Sequence, residues 1–349
     1  MITELETVKP DFLTEEYKLK LEDFPPMYRM NYNHSRYYVT AEGGEVDWYS
    51  SVTSIIGQVV PKSVGMELLM MSKGTEFNTW MAELAHQGTF IHNQIGNYLL
   101  RRELAKDYAD SETFLIYSFF DFEDEIKKYF LEKRLNYDVK KWDIELKPKI
   151  VSLIRFIEEY EVEPLAVEMI VRYKDELVQY AGALDLLCFI TVEEEGEWGE
   201  LYKSGVNRGL PKITKKKVRK LAIIDFKSGT SGFFPEYGIQ LQMYAKALYQ
   251  MIGLNVDAIM NVAPTKFMNG NTPGYSVKDW KELVNKEKLN DILRMFSRDY
   301  SKPDQIVSYD GEINPGGSIE SIFRYQKADE FVLGLSKVQK TQELETQLN

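Results

Sequence analysis

The pattern of apolar and polar positions changes character near residue 165. Before it, within residues 65–160, Phe77, Trp80, Met81, Leu84, Gly88, Ile91 and Ile95 recur three and four residues apart, which keeps one helix face apolar or small. The stretches 114–131 and 144–160 repeat that spacing, and Glu163-Pro164 ends the helical region. After it, residues 165–171, 178–191 and 220–227 are short apolar runs that predict buried strands. Tyr237, Leu241, Tyr244 and Leu248 predict an amphipathic helix over 236–252, followed by a strand at 256–262. A last helix is predicted over 277–300.

Nearer the start, Arg36-Tyr37-Tyr38-Val39 and Glu45-Val46-Asp47-Trp48-Tyr49 flank Gly43-Gly44 and predict a β-hairpin. A Ser or Thr between positions 50 and 54 can cap a short helix after it. Residues 1–26 are charged and aperiodic up to Pro25-Pro26, and the final dozen residues are polar, as in a frayed end. The expectation is one α/β domain over 1–349. It has a mixed central sheet at 165–262, an N-terminal hairpin and helical region at 27–164, and a C-terminal helix and polar tail at 263–349.

Composition narrows the partners. The net charge of -11 argues against a surface coated in positive charge, while leaving room for a local basic groove. An acidic excess also suits a site that gathers divalent cations. The 22 Tyr and 18 Phe predict a large aromatic core, with base stacking at the surface as the less favoured reading. Cys188 stands alone, so it can form no intrachain disulfide and cannot hold an iron–sulfur cluster or structural zinc. A reducing, cytoplasmic setting is the expectation. No apolar stretch approaches the length of a bilayer span, so no membrane partner is expected. Between the second and third predicted strands an insertion runs from Glu193-Glu194-Glu195 to a basic stretch at 212–220. Two arms of a solvated hairpin attracting each other explain this slightly better than a basic arm for phosphates.

Asp225-Phe226-Lys227 follows the apolar run Leu221-Ala222-Ile223-Ile224. In a strand, residues two apart share a face, so Asp225 and Lys227 point into one cleft and Phe226 away from it. That suits a metal ligand beside a group that handles attacking water; an ion pair capping the strand is the equal alternative on this triplet alone. Asp185 lies inside Ala183-Leu184-Asp185-Leu186-Leu187, where a carboxylate is costly to bury unless paired, hydrogen-bonded or metal-bound. Gly182 permits a close approach there. If the two strands are neighbours, Asp185 and Asp225 face each other, and a divalent cation resolves their repulsion. His92 lies on the first long helix, where a lone histidine is more often structural, and Gln240 and Tyr244 share one face of the later helix.

In order, the chain reads Gly88-Thr89 with His92, Glu168, Gly182 with Asp185, Asp225-Phe226-Lys227, and Gln240 with Tyr244. This series resembles the RecB-like nucleases of the PD-(D/E)XK superfamily. The stretch Ser51-Val52-Thr53-Ser54-Ile55-Ile56 resembles a segment of phage-encoded members and of the mitochondrial genome maintenance exonuclease. The likeness spans roughly residues 50–262. It implies an αβββαβ core and metal-dependent hydrolysis of DNA, by an exonuclease acting on single strands or duplex ends. A structure-specific endonuclease, or a noncatalytic DNA-binding protein, is the alternative. By resemblance His92, Asp185, Asp225 and the Phe226 carbonyl bind Mg²⁺ or Mn²⁺. Lys227 handles the water and the charge on the phosphate, and Gln240 and Tyr244 position the strand or Lys227. Glu168 supports the ligands or joins a second metal. The chain lacks the cysteines of the iron–sulfur branches and carries no Gly-x-x-x-x-Gly-Lys-Ser/Thr loop, so a nuclease without its own motor is implied. Recombination or replication proteins are its expected but unidentified partners. Trp80 and Phe90, near His92 in sequence, are expected to help roof the cleft so that a strand threads in.

Overall fold

Strands form where the sequence places apolar runs, and helices where that apolarity falls every third or fourth residue. The computed structural model describes residues 27–299, apart from 33–34, 43–44, 62–63, 105–121, 202, 207, 210, 231, 268–271 and 284–285. The 1–26 segment, the Gly43-Gly44 turn, positions 114–121 of the expected helical run and the polar tail lie outside the described residues.

The first described elements are β1 (Met27–Tyr32), β2 (Ser35–Glu42) and β3 (Glu45–Ser51), paired antiparallel in that order. Among the described residues five α-helices follow: α1 (Val52–Val59), α2 (Val64–Lys73), α3 (Phe77–Leu104), α4 (Phe122–Lys133) and α5 (Val139–Glu159). Next come β4 (Glu163–Lys174), β5 (Gln179–Leu201), β6 (Pro211–Phe226), α6 (Pro235–Ile252), β7 (Ala258–Pro264), β8 (Tyr275–Asp279) and α7 (Lys286–Asp299). All eight strands join one mixed sheet. One face buries Val52 and Ile55 of α1, Leu241 and Leu248 of α6, and Leu293 and Phe296 of α7. The other buries Phe90, Ile91 and Ile95 of α3, Ile126 of α4, and Trp142, Leu153 and Phe156 of α5. The architecture is therefore α/β, with a mixed sheet between two helical layers.

The structure corrects several expectations. The sheet is not confined to 165–262, because β3 pairs in parallel with β5 and brings the N-terminal strands into it. The helix expected from 277 begins at Lys286; residues 275–279 form β8, which closes the edge of β7. Tyr275 and Val277 supply the reason: their period of two turns both toward the core. Phe90 roofs nothing, being buried in an aromatic cluster with Tyr129 and Trp142.

The sheet forks where the sequence places Asp185. β4 holds one edge of β5 from Gln179 to Phe189. On the other edge β5 pairs first with β3, at Tyr180 and Ala181, and then with β6, from Leu186 onward. Residues 182–185 of β5 therefore border a gap between the two neighbours. The side-chain alternation slips by one residue at the same place. Tyr180 and Leu184 pack into the first layer, whereas Leu186, Cys188 and Ile190 pack into the second. On β4 the same slip falls between Val167 and Met169, at Glu168, whose φ of 54 is in the left-handed region.

Candidate active site

Each side of the fork contributes charged side chains. The β5–β6 ladder ends at the pair Leu186 with Ile224, so Asp185 and Asp225 occupy the next position, where the strands part. The Phe226 N–H, which has lost its β5 partner, donates to Asp185 Oδ2 at 2.8 Å. Across the β4–β5 ladder, Glu168 lies opposite Asp185, between the registered pairs Val167 with Leu186 and Met169 with Leu184. A left-handed backbone at a non-glycine residue costs on the order of 1–3 kcal/mol and persists only where its surroundings enforce it.

His92 reaches the fork from α3. Its Nε2 donates to the Phe226 carbonyl oxygen at 2.9 Å, and its Nδ1 lies 3.5 Å from Asp185 Oδ2 and 3.8 Å from Glu168 Oε1. One ligand atom from each of His92, Glu168 and Asp185 falls within 4.8 Å of the others. Burial alone would lower the His92 pKa, but Asp185 and Glu168 together outweigh it and raise it to about 9. Burial raises the Asp185 carboxyl to about 7; Asp225 and Glu168 push the same way, against His92 and Lys227.

Asp225 is handled differently. It is 4% exposed, and its Oδ2 accepts from Lys227 Nζ at 2.6 Å and from Asn261 Nδ2 at 2.5 Å. Burial disfavours the Lys227 ammonium, yet the Asp225 carboxylate more than compensates, and the net shift is upward. The ammonium also lies 4.3 Å from the centre of the Tyr237 ring and donates to Gln240 Oε1 at 3.4 Å. Gln240 Nε2 in turn donates to the Tyr244 hydroxyl at 2.9 Å. Tyr244 needs a glycine opposite: a Cβ on Gly182 would sit 2.5 Å from Tyr244 Cε1. Gly88, by contrast, would hold a Cβ at an ordinary 3.5 Å from Ser228, so the approach of α3 does not demand it.

The structure thus gathers His92, Glu168 and Asp185 into one cluster and Asp225, Lys227, Gln240 and Tyr244 into an adjoining chain. The Phe226 carbonyl joins the two. Among the described residues, the compact set of possible metal ligands contains Glu168 and not Asp225. Trp80 is apart from this group; it packs on Phe77, with Lys73 Nζ 5.3 Å from its ring. Two residues escaped the sequence reading: Asn261, which grips Asp225, and Trp280, whose indole N–H donates to Asn261 Oδ1 at 2.8 Å. A lone amide within Ala258-Ile259-Met260-Asn261-Val262 was the available signal. No protein-family model matches the chain, and no curated protein matches it in sequence.

The donor set fits a divalent cation. Three carboxylates converge on one imidazole and one ammonium, and a backbone carbonyl is at hand. Carboxylate and carbonyl oxygens are hard ligands for divalent cations, and an imidazole adds a ligand suited to transition metals.

Proposed function

We propose that the chain is a divalent-metal-dependent DNA nuclease, of the RecB-like branch of the PD-(D/E)XK superfamily. One observation carries the reading: His92, Glu168 and Asp185 converge at a fork in the sheet, directly beside the Asp225–Lys227 pair. The order α5, β4, β5, β6, α6, β7 supports it, being the αβββαβ order of that superfamily. His92, Asp185, Asp225 and the Phe226 carbonyl hold Mg²⁺ or Mn²⁺, and Glu168 belongs to the same ligand cluster. The cation supplies the charge that makes a water acidic enough to attack a phosphodiester. Lys227 stays an ammonium at neutral pH, so its part is to orient the water and steady the charge growing on the phosphate. Gln240 and Tyr244 hold Lys227 in place.

The substrate we propose is single-stranded DNA or a duplex end. Among the described residues, four bases along the long β5–β6 hairpin are not free to serve duplex DNA. Lys215, Lys217, Arg219 and Lys220 are already paired with Glu193, Glu161, Glu163 and Glu194. The test is digestion of an end-labelled linear single strand and a closed circle of the same sequence, at low salt, with Mg²⁺ or Mn²⁺. The expected result is metal-dependent loss of the linear strand, a spared circle, and no activity in Asp225→Asn. Nicking of the circle would turn the reading to an endonuclease, and hydrolysis of neither would overturn it.

A further inference from the structure

We infer that Asn261 and Trp280 are positioning residues that hold the Asp225 carboxylate in place while Lys227 works on the substrate. The inference rests on the nuclease reading and adds a part to that site. Asn261 lies in β7 beside Asp225 in the parallel register of β6 and β7. It is 0% exposed in a strand whose every residue is buried, a setting that disfavours an amide unless both its ends are bonded. Both ends are. Nδ2 donates to Asp225 Oδ2 at 2.5 Å and to the Asp225 backbone carbonyl at 3.3 Å, while Oδ1 accepts from Trp280 Nε1 at 2.8 Å.

The chemistry of these partners leaves one orientation for the amide. A carboxylate and a carbonyl only accept, and an indole N–H only donates. Turning the amide over would set oxygen against oxygen and N–H against N–H. Trp280 therefore locks the amide, and the amide locks the carboxylate. Its other holder, Lys227, has a second task at the phosphate. When the ammonium turns to that task, Asp225 loses one of two donors on Oδ2 and keeps the other. Both bonds fall on Oδ2, so neither Lys227 nor Asn261 occupies Oδ1. Groups that orient a metal's ligands in this way commonly change metal affinity or activity 10–100-fold when removed.

The experiment compares the full chain with Trp280→Phe, Asn261→Leu and the double variant. Trp280→Phe keeps the ring and removes only the N–H. The readings are Mn²⁺ affinity of the DNA-free protein by calorimetry, kcat and KM on end-labelled linear DNA, and Tm. Asn261→Leu is expected to weaken Mn²⁺ binding and kcat by about 10–100-fold, with KM nearly unchanged. Trp280→Phe should show the same pattern at about 10-fold, the low end of that range. In the Asn261→Leu background Trp280→Phe should add nothing, because the relay is already broken. Should Asn261→Leu fail to fold, Trp280→Phe decides alone. Wild-type Mn²⁺ affinity and kcat in Trp280→Phe, or a fall in Tm alone, overturns the inference while the nuclease reading stands. A wild-type chain that neither binds Mn²⁺ nor cleaves DNA overturns both.

Discussion

Strands β5 and β6 carry dense charge at both ends, and the two ends treat it in opposite ways. Along the projecting hairpin Glu193 and Glu194, with Glu161 and Glu163 beside it, each have their own base, and the pairs lie at the surface. At the fork Glu168, Asp185 and Asp225 crowd against His92 and Lys227, and the charges do not cancel one for one. The hairpin needs nothing further, since water screens what its pairs leave over. The fork holds excess negative charge in a partly buried place, where water cannot dissipate it. The lesson is that charge density alone does not locate chemistry. Unbalanced charge that the fold has brought together does.

The comparison breaks most visibly if the fork residues are exchangeable, as hairpin residues should be. Lys227→Ala is expected to lower turnover on the order of 10²–10⁴-fold, the loss of one group acting in the transition state, with Mn²⁺ affinity largely kept. His92→Ala should lower both. Metal affinity that collapses in Lys227→Ala would make Lys227 a structural partner of the carboxylates, and single-turnover kinetics beside calorimetry separates the cases.

Next in size is the response to pH. In the metal-free protein His92 is held protonated up to about 9, so a cation must displace that proton. Between pH 7 and 9 the loss of about one proton should tighten Mn²⁺ binding on the order of tenfold per pH unit. Below about 7 the Asp185 carboxyl adds a second competing proton. The sign for stability is opposite. A raised His92 pKa stabilises the metal-free fold fully below 6.5, and that contribution is lost as pH rises through about 9. Mn²⁺ affinity that stays flat from pH 7 to 9 would contradict the placement of His92 among the ligands.

A steric change sharpens the picture further. Gly182→Ala forces a Cβ to within 2.5 Å of Tyr244, so the ring must move and drag Gln240 away from Lys227. Overpacking of this kind costs roughly 1–3 kcal/mol, readable in urea unfolding, and turnover should fall with it. Wild-type stability in that variant would show that Tyr244 is free to shift. The smallest effect belongs to the hairpin. Glu193→Gln and Lys215→Ala should leave Tm and turnover at the wild-type level, and a large loss of DNA affinity in Lys215→Ala would restore the phosphate-binding arm.

Local pattern carried much of this in the sequence. The spacing of Ile91 and Ile95 marks α3, Tyr237 to Leu248 marks α6, and the alternation around Asp225 puts Lys227 on its face. What the pattern lacked was partnership across distance. Nothing local tells that β3 pairs with Tyr180 and Ala181, and the fork exists because of that pairing. The expected strands stopped near 191 and began near 220, since charge reads as loop. Cross-strand pairs of Glu and Lys instead extend the ladder to Glu195 and Lys215, and Trp198 with Ile213 and Leu201 with Pro211 carry it on. Resemblance alone pointed to Glu168 until the register of β4 and β5 placed it opposite Asp185, and Asn261 stayed unmarked until β7 set it beside Asp225.

The claim that the fork is a cation site is tested most directly by titrating Mn²⁺ into wild-type chain and Asp185→Asn in a calorimeter at pH 8. The account predicts saturable binding in the wild type and its loss in the variant, with the fold retained in both. Equal binding by the two, or none by the wild type, would contradict it.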